Sequence, residues 1–213
     1  MPRSRFDELA ALAEEHDGLL TAEQAREAGF TDSVLTRLVQ RGRIERTARG
    51  VYRIPYVSPG RFSQYREAVL WVKANRGPNQ AALSHITALA VYGISDANPS
   101  LIHLTIPRSA RLRRQIPKGL VLHREDLAPE DMTVEEGIPL TTISRTVADL
   151  LRSGGRLDLI RQAISDARRE GLIRDGEAKQ LRELGFPLVA SEAIEQRFLE
   201  VVRMLECSAR PDE

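Results

Sequence analysis

The sequence predicts an α+β protein of two domains with a helical C-terminal tail. Three observations carry this expectation. Short apolar-periodic segments, each bounded by a capping residue and a glycine, follow one another up to Gly42. "SLIHLTIP" and "GLVLHRED" then alternate in the manner of strands. Beyond Gly154-Gly155 the periodicity is helical throughout, in "RLDLIRQAISDARREGLI" and "EAIEQRFLEVVRML". The expected divisions are 1–57, 58–155 and 156–213, the first boundary falling in "YVSPGRFSQ", where Pro and Gly separate two periodic runs.

Composition limits the classes of function. The 213 residues are 42% hydrophobic and 29% charged, enough for a packed core and too apolar for a disordered chain. No apolar run approaches the roughly 20 residues that span a bilayer, so no membrane association is expected. The start MPRSRFDEL places charges where an export signal needs an apolar stretch, and the expectation is a soluble cytoplasmic protein. The single cysteine, Cys207, excludes an intramolecular disulfide and a thiolate zinc cluster. His16, His85, His103 and His123 show no HxxxH or HxH spacing, so neither metal nor cofactor is expected.

Element by element, "RFDELAALAEEHDG" sets Phe6, Leu9, Ala10, Leu12 and Ala13 at helical spacing, with Gly18 as the stop. "LLTAEQAREAG" begins a second, short helix, where Thr21 and Gln24 have the spacing of a capping box and Gly29 closes the turn. "TDSVLTRLVQRG" is a third, capped by Thr31 or Asp32. Its apolar stripe is Val34, Leu35, Leu38 and Val39, and Ser33, Thr36, Arg37, Gln40 and Arg41 lie on the opposite face. "RIERTARGVYRIP" then reads as two short strands around Ala48-Arg49-Gly50, ended by Pro55. Three helices followed by a hairpin is the order of a winged helix-turn-helix.

Charge follows the same division. Residues 1–32 hold eight acids and three arginines, whereas residues 33–54 hold one acid and six arginines, on a chain whose net charge is only +1. In a winged helix the third helix enters the major groove and the hairpin reaches phosphate or the minor groove, so both need to be basic and the rest does not. The candidate DNA-binding set is Ser33, Thr36, Arg37, Gln40, Arg41, Arg43, Arg46 and Arg49. Glu23 and Glu27 lie close enough in sequence to matter. The competing expectation is a protein-interaction module whose basic N-terminal surface docks on an acidic protein partner.

In the second part, "YREAVLWVKANRG" and "ALSHITALAVYGI" are core helices, through Ala68, Val69, Trp71 and Val72 in one and Leu83, Ile86, Leu89, Ala90 and Tyr92 in the other. Ser84 is the candidate cap of the latter and Gly93 its end. Six basic residues and no acid fall between Arg108 and Arg124, and Arg108, Arg111, Arg113, Arg114 and Lys118 form a possible second basic patch. Six acids come next in "EDLAPEDMTVEEG", so either the two runs pair or the basic loop contacts phosphate. "GIPLTTISRTVADLL" is a strand leading into a helix capped by Thr141, Thr142 or Ser144, with Val147, Leu150 and Leu151 inward. No catalytic residue is expected. There is no phosphate-binding glycine loop, and Ser84 and His85, taken as neighbours on a helix, project about 100° apart and so cannot act as nucleophile and base.

Taken together, "LLTAEQAREAGFTDSVLTRLVQRGRIERTARGVYRI", "ALSHITALAVYGI", "IHLTIP" and "EEGIPLTTISRTVADLL" resemble the AbiEi-type antitoxins of type IV toxin–antitoxin systems, the MenAI group included. The resemblance covers most of residues 5–152 and places the recognition helix at Asp32 to Arg41 and the wing at Arg43 to Ile54. It implies an autoregulatory repressor that binds inverted repeats in double-stranded operator DNA, expected as two protomers. The C-terminal antitoxin domain would counteract a nucleotidyltransferase-like toxin, without need of a stable complex. Similar front halves also occur fused to a very-short-patch-repair-like nuclease, whose opening helix "SEAIEQRFLEVVRML" resembles. Active nuclease chemistry is not expected, because Glu213 leaves no room for its metal-binding strands.

Overall fold

The computed structural model describes residues 5–14, 16–74, 81–112 and 115–185. The run from Ser191 to Leu205 and Cys207 lie outside them.

The N-terminal elements are α1 (Arg5–Glu14), β1 (Leu19–Thr21), α2 (Ala22–Glu27), α3 (Asp32–Gln40), β2 (Glu45–Ala48) and β3 (Val51–Arg53). Leu9 and Ala13 of α1, Ala25 of α2 and Leu35 of α3 are buried together with Phe30, Ile44, Tyr52 and Ile54. After α1 the chain reverses at Gly18, which has φ +79°, a conformation that suits glycine. A Cβ there would lie 2.8 Å from Val57 Cβ, so packing as well as backbone demands the glycine.

Leu19 and Leu20 depart from expectation. Ahead of the Thr21 cap they form a strand where none was expected, with β1 antiparallel to β3 in the register Leu19↔Arg53, Leu20↔Tyr52 and Thr21↔Val51. The resulting sheet has the order β1-β3-β2. Pairing gives β3 a partner on both edges and buries both leucines completely. Thr21 ends the strand and caps α2: its Oγ1 accepts from Gln24 N at 3.1 Å, and Gln24 Oε1 accepts from Thr21 N at 2.8 Å. Thr21→Ala is expected to cost about 1 kcal/mol, read as a lower midpoint in urea at unchanged slope.

α4 (Ser63–Ala74) comes next, and its residues face two ways. Tyr65, Ala68, Val69, Trp71 and Val72 are buried against the second sheet, in a cluster onto which Ala48 of the hairpin also packs. Arg66 Nε donates to Asp17 Oδ2 at 2.8 Å, and Arg53 Nη2 donates to Glu67 Oε2 at 3.0 Å. The helix therefore ties the winged module to the second sheet.

The remaining elements are β4 (Ala82–Leu83), α5 (His85–Tyr92), β5 (Ile102–Ile106), β6 (Leu120–Arg124), a 3₁₀ turn at Pro129–Asp131, β7 (Met132–Glu135), β8 (Ile138–Thr141), α6 (Ile143–Arg152), α7 (Leu157–Arg169) and α8 (Asp175–Glu183). The five strands order β6-β5-β4-β8-β7, with β5–β6 and β4–β8 parallel and the other two pairs antiparallel. A further cluster joins α5, α6, α7 and α8 through Leu89, Val147, Leu150, Ile160, Ile164 and Leu181. Gly93 ends α5 in the left-handed conformation, as expected. Among the described residues, no helix is long and apolar enough to cross a membrane.

Two expected caps are replaced. Ser84 occupies the N-cap position of α5 but makes no capping bond, because its Oγ is engaged by Thr105 and His85. Thr142 precedes α6 without capping it, and Glu177 of α8 does so instead, its Oε1 accepting from Ile143 N at 2.8 Å. A carboxylate at a helix N-terminus meets both the unpaired amides and the positive end of the dipole.

Candidate functional site

α3 presents the outer face that its periodicity requires. Leu35 is buried and Val34, Leu38 and Val39 are half-buried, whereas Ser33, Thr36, Arg37, Gln40 and Arg41 are exposed. Thr31, not Asp32, caps the helix, its Oγ1 accepting from Val34 N at 3.4 Å. Between α2 and α3, Gly29 takes φ +83° and Phe30 enters the core. Arg5 braces this turn by donating from Nη2 to Gly29 O at 3.1 Å, with its guanidinium 5.4 Å from the Phe30 ring centroid.

The six arginines of residues 33–54 separate by environment. Arg53 is paired with Glu67. Arg43 lies over the Phe6 ring at 4.2 Å, and its carbonyl accepts from Tyr56 Oη at 2.9 Å. Arg37 and Arg41 on α3, Arg46 on β2 and Arg49 in the turn are exposed, and among the described residues no ion pair holds any of them. Exposed Asp32 is engaged by Arg26 at 3.4 Å. Glu23 and Glu27 are also exposed, on α2.

The second basic patch is described in part. Arg108, Arg111 and Lys118 are exposed, while Arg113 and Arg114 lie outside the described residues. Among the described residues, no ion pair joins the acids beyond Arg124 to Arg108, Arg111 or Lys118. Asp126 Oδ1 accepts from the backbone of Arg108 at 3.0 Å, and Glu125 and Asp131 turn to α6. There Arg145 is bound by Asp149 (Nε–Oδ1 2.8 Å), Asp131 (Nη1–Oδ2 2.9 Å) and Glu125. Arg152 joins the network through Asp149 and Glu125. Burial opposes the charge of Arg145, but Asp149 and Asp131 outweigh it and raise its pKa. Burial raises the Asp149 carboxyl in spite of both arginines, and its Oδ2 is buried with no hydrogen-bond partner among the described residues.

Sequence spacing missed a third feature. His85, at the start of α5, His103 on β5 and His123 on β6 each offer a ring nitrogen within 4.8 Å of the others. The His85 and His123 rings stack at 3.7 Å between centroids and 15° between planes. His103 Nδ1 and His123 Nε2 are 3.0 Å apart. Burial lowers the pKa of His85 to about 3, and the His123 and His103 rings push in the same direction. Burial lowers His103 and His123 as well, Asp149 and Glu125 partly opposing it at His123. The usable signal was register. Parallel β5 and β6 pair His103 with Val121 and Thr105 with His123, which sets both histidines on one face.

The Ser84–His85 expectation needs correction. Ser84 Oγ and His85 Nδ1 are 3.0 Å apart, a hydrogen bond that helical neighbours could not make. Ser84 is extended at φ −147°, and His85 takes φ +55°, so neither obeys the helical projection assumed. Ser84 Oγ is fully buried and also accepts from Thr105 Oγ1 at 2.8 Å, which places it in the core and away from any substrate.

A capped helix-turn-helix with a basic outer face, followed by a basic hairpin, has the arrangement of a winged helix-turn-helix module. Residues 7–55 match the family model for "Transcriptional regulator, AbiEi antitoxin", which supports the AbiEi-type resemblance over this module. Among solved structures, the chain is similar to the RV2827C protein from Mycobacterium tuberculosis, at 14% identity and a TM-score of 0.48, covering 100% of this chain and 84% of that one. No curated protein matches the chain.

Proposed function

We propose that the protein represses its own operon by binding inverted repeats in double-stranded operator DNA. α3 enters the major groove, the β2–β3 hairpin lies along the backbone or minor groove, and two protomers occupy the paired half-sites. The observation that carries this reading is the set Arg37, Arg41, Arg46 and Arg49, exposed and outside any ion pair among the described residues. Charged side chains held on rigid elements without partners are suited to phosphate and base edges. Arg43, seated over Phe6, orients the start of the hairpin and contributes charge at short range. Ser33, Thr36 and Gln40 complete the reading face, although Thr36 Oγ1 is already donating to Asp32 O at 2.8 Å.

In this reading residues 1–57 form the DNA-binding domain, residues 58–155 the antitoxin domain, and residues 156–213 its helical extension. The protein is the cytoplasmic antitoxin of a type IV system and counteracts a nucleotidyltransferase-like toxin through the second domain. Exposed Arg108, Arg111 and Lys118 offer that domain a cationic surface.

Fluorescence anisotropy on a labelled duplex from upstream of the gene tests the reading. Arg37→Ala is expected to lose affinity for that duplex by roughly 5- to 150-fold, the equivalent of about 1–3 kcal/mol for a base contact, with little change on a scrambled duplex. Arg49→Ala should weaken both duplexes alike, as a phosphate contact does. Unchanged affinity and preference in Arg37→Ala would remove the recognition-helix assignment and leave the basic surface to an acidic protein partner.

A further inference from the structure

We propose that His85, His103 and His123 form a binding site for one divalent transition-metal ion of the zinc class. The three side chains come from three elements, since His85 begins α5 next to β4 while His103 and His123 lie on β5 and β6. An ion here would join the β4–α5 junction to the edge of the sheet. Imidazole nitrogens are suitable ligands for zinc, copper, nickel and iron.

The spacing is close to what such an ion needs. Zinc–nitrogen bonds of about 2.0–2.1 Å in a tetrahedron place neighbouring nitrogens roughly 3.3 Å apart. His103 Nδ1 and His123 Nε2, at 3.0 Å, are already near that edge length, and the ion would replace the proton they share. All three ligand atoms lie within 4.8 Å of one another, so the third must approach by at most about 1.5 Å to reach that edge length. That nitrogen belongs to His85, whose stacked ring has to turn off the face of His123 to aim at a common centre. The half-buried edges of His103 and His123 leave a fourth position open to water or to an exogenous ligand.

Two features beyond the cluster fit a ligand role. His85 Nδ1 is held by Ser84 Oγ, itself held by Thr105 Oγ1, which leaves Nε2 for the metal and gives the ring the kind of outer partner that ligating histidines usually have. The histidine is also one of four non-glycine residues at positive φ among the described residues. Backbone departures of this kind gather at binding sites. Asp149 and Glu125, whose charges act on His123, supply negative potential for a cation, against which Arg145 and Arg152 act on His85. No thiolate takes part, so affinity rests on three nitrogens and falls below that of a cysteine-rich structural site.

The test uses the full, untagged chain, stripped with chelator and titrated with zinc in a calorimeter. Zinc K-edge absorption on the loaded protein reads the ligands directly. The expected result is one ion per chain, a shell containing three nitrogens at about 2.0–2.1 Å and a raised melting temperature. His103→Gln and His123→Gln are expected to abolish stoichiometric binding, and His16→Gln, outside the cluster, to retain it. Ser84→Ala, which leaves every ligand in place, should weaken binding about 10- to 100-fold. Substoichiometric binding, a shell without histidine nitrogen, or zinc affinity unchanged in the His103 and His123 variants would overturn the assignment. The absorption spectrum of the unaltered protein decides the matter even if a variant fails to fold.

Discussion

Arg145→Met is expected to destabilise the fold by about 3–5 kcal/mol at neutral pH, the cost of removing one partner from a buried ion pair. The side chain is only 10% exposed and its fork is fully used, with Nε on Asp149, Nη1 on Asp131 and Nη2 on Glu125. These contacts fasten α6 to the end of β6 and to the 3₁₀ turn before β7. Methionine would fill much of the space and leave the Asp149 carboxylate, 2% exposed, with Arg152 alone. The double variant Arg145→Met/Asp149→Leu should recover most of the loss, because a buried pair replaced by apolar groups is often neutral. The penalty also has a signed pH dependence. Burial raises the Asp149 pKa in the fold, and a carboxyl raised above its unfolded value favours the fold below the unfolded pKa and opposes it as pH rises through the folded one. Removing Arg145 raises it further, so the difference between variant and parent is expected to shrink on acidification from neutral pH. Urea denaturation of both proteins across that range measures it. A difference that is constant with pH would detach the effect from Asp149.

Leu35→Ala is expected to cost about 2–5 kcal/mol, with loss of DNA binding following from loss of fold. Leu35 is fully buried beneath the exposed face of α3, packed among Leu9, Ala25, Phe30 and Ile44. The side chains above it face solvent, so Arg37→Ala should leave the melting temperature within about a degree or two while altering recognition. The contrast separates the two faces of one helix. Thermal melts beside binding isotherms read it, and a large stability loss in Arg37→Ala would mean that this side chain belongs to the packing.

Where information was local, the sequence disclosed it. The Thr21–Gln24 box, the two faces of α3, the turn at Gly50 and the left-handed end of α5 at Gly93 each depend on residues within a few positions. The features that escaped depend on partners far along the chain. Leu19 and Leu20 are a strand because β3, more than thirty residues later, needs an edge partner. β7 lies within an acid-rich run whose Met132 and Val134 alternate too briefly to stand out. The cap of α6 is Glu177, and no inspection of the residues around Thr142 could supply it. The histidine cluster was invisible for the same reason, since parallel pairing of β5 with β6 brings together residues twenty apart, and only His85's positive φ turns it out of a helical pattern.

α3 and the hairpin are expected to bind duplex DNA with sequence preference. The most direct test is the salt dependence of affinity for the duplex upstream of the gene, beside a scrambled duplex of equal length. If Arg41, Arg46 and Arg49 neutralise phosphates while Arg37 reads a base, the slope of log affinity on log salt should approach about −2.7 per protomer, at about −0.9 per neutralised phosphate, and the native duplex should bind more tightly at every salt concentration. A flat salt response, or equal weak binding to both duplexes, would mean that α3 and the hairpin are not a DNA-reading surface.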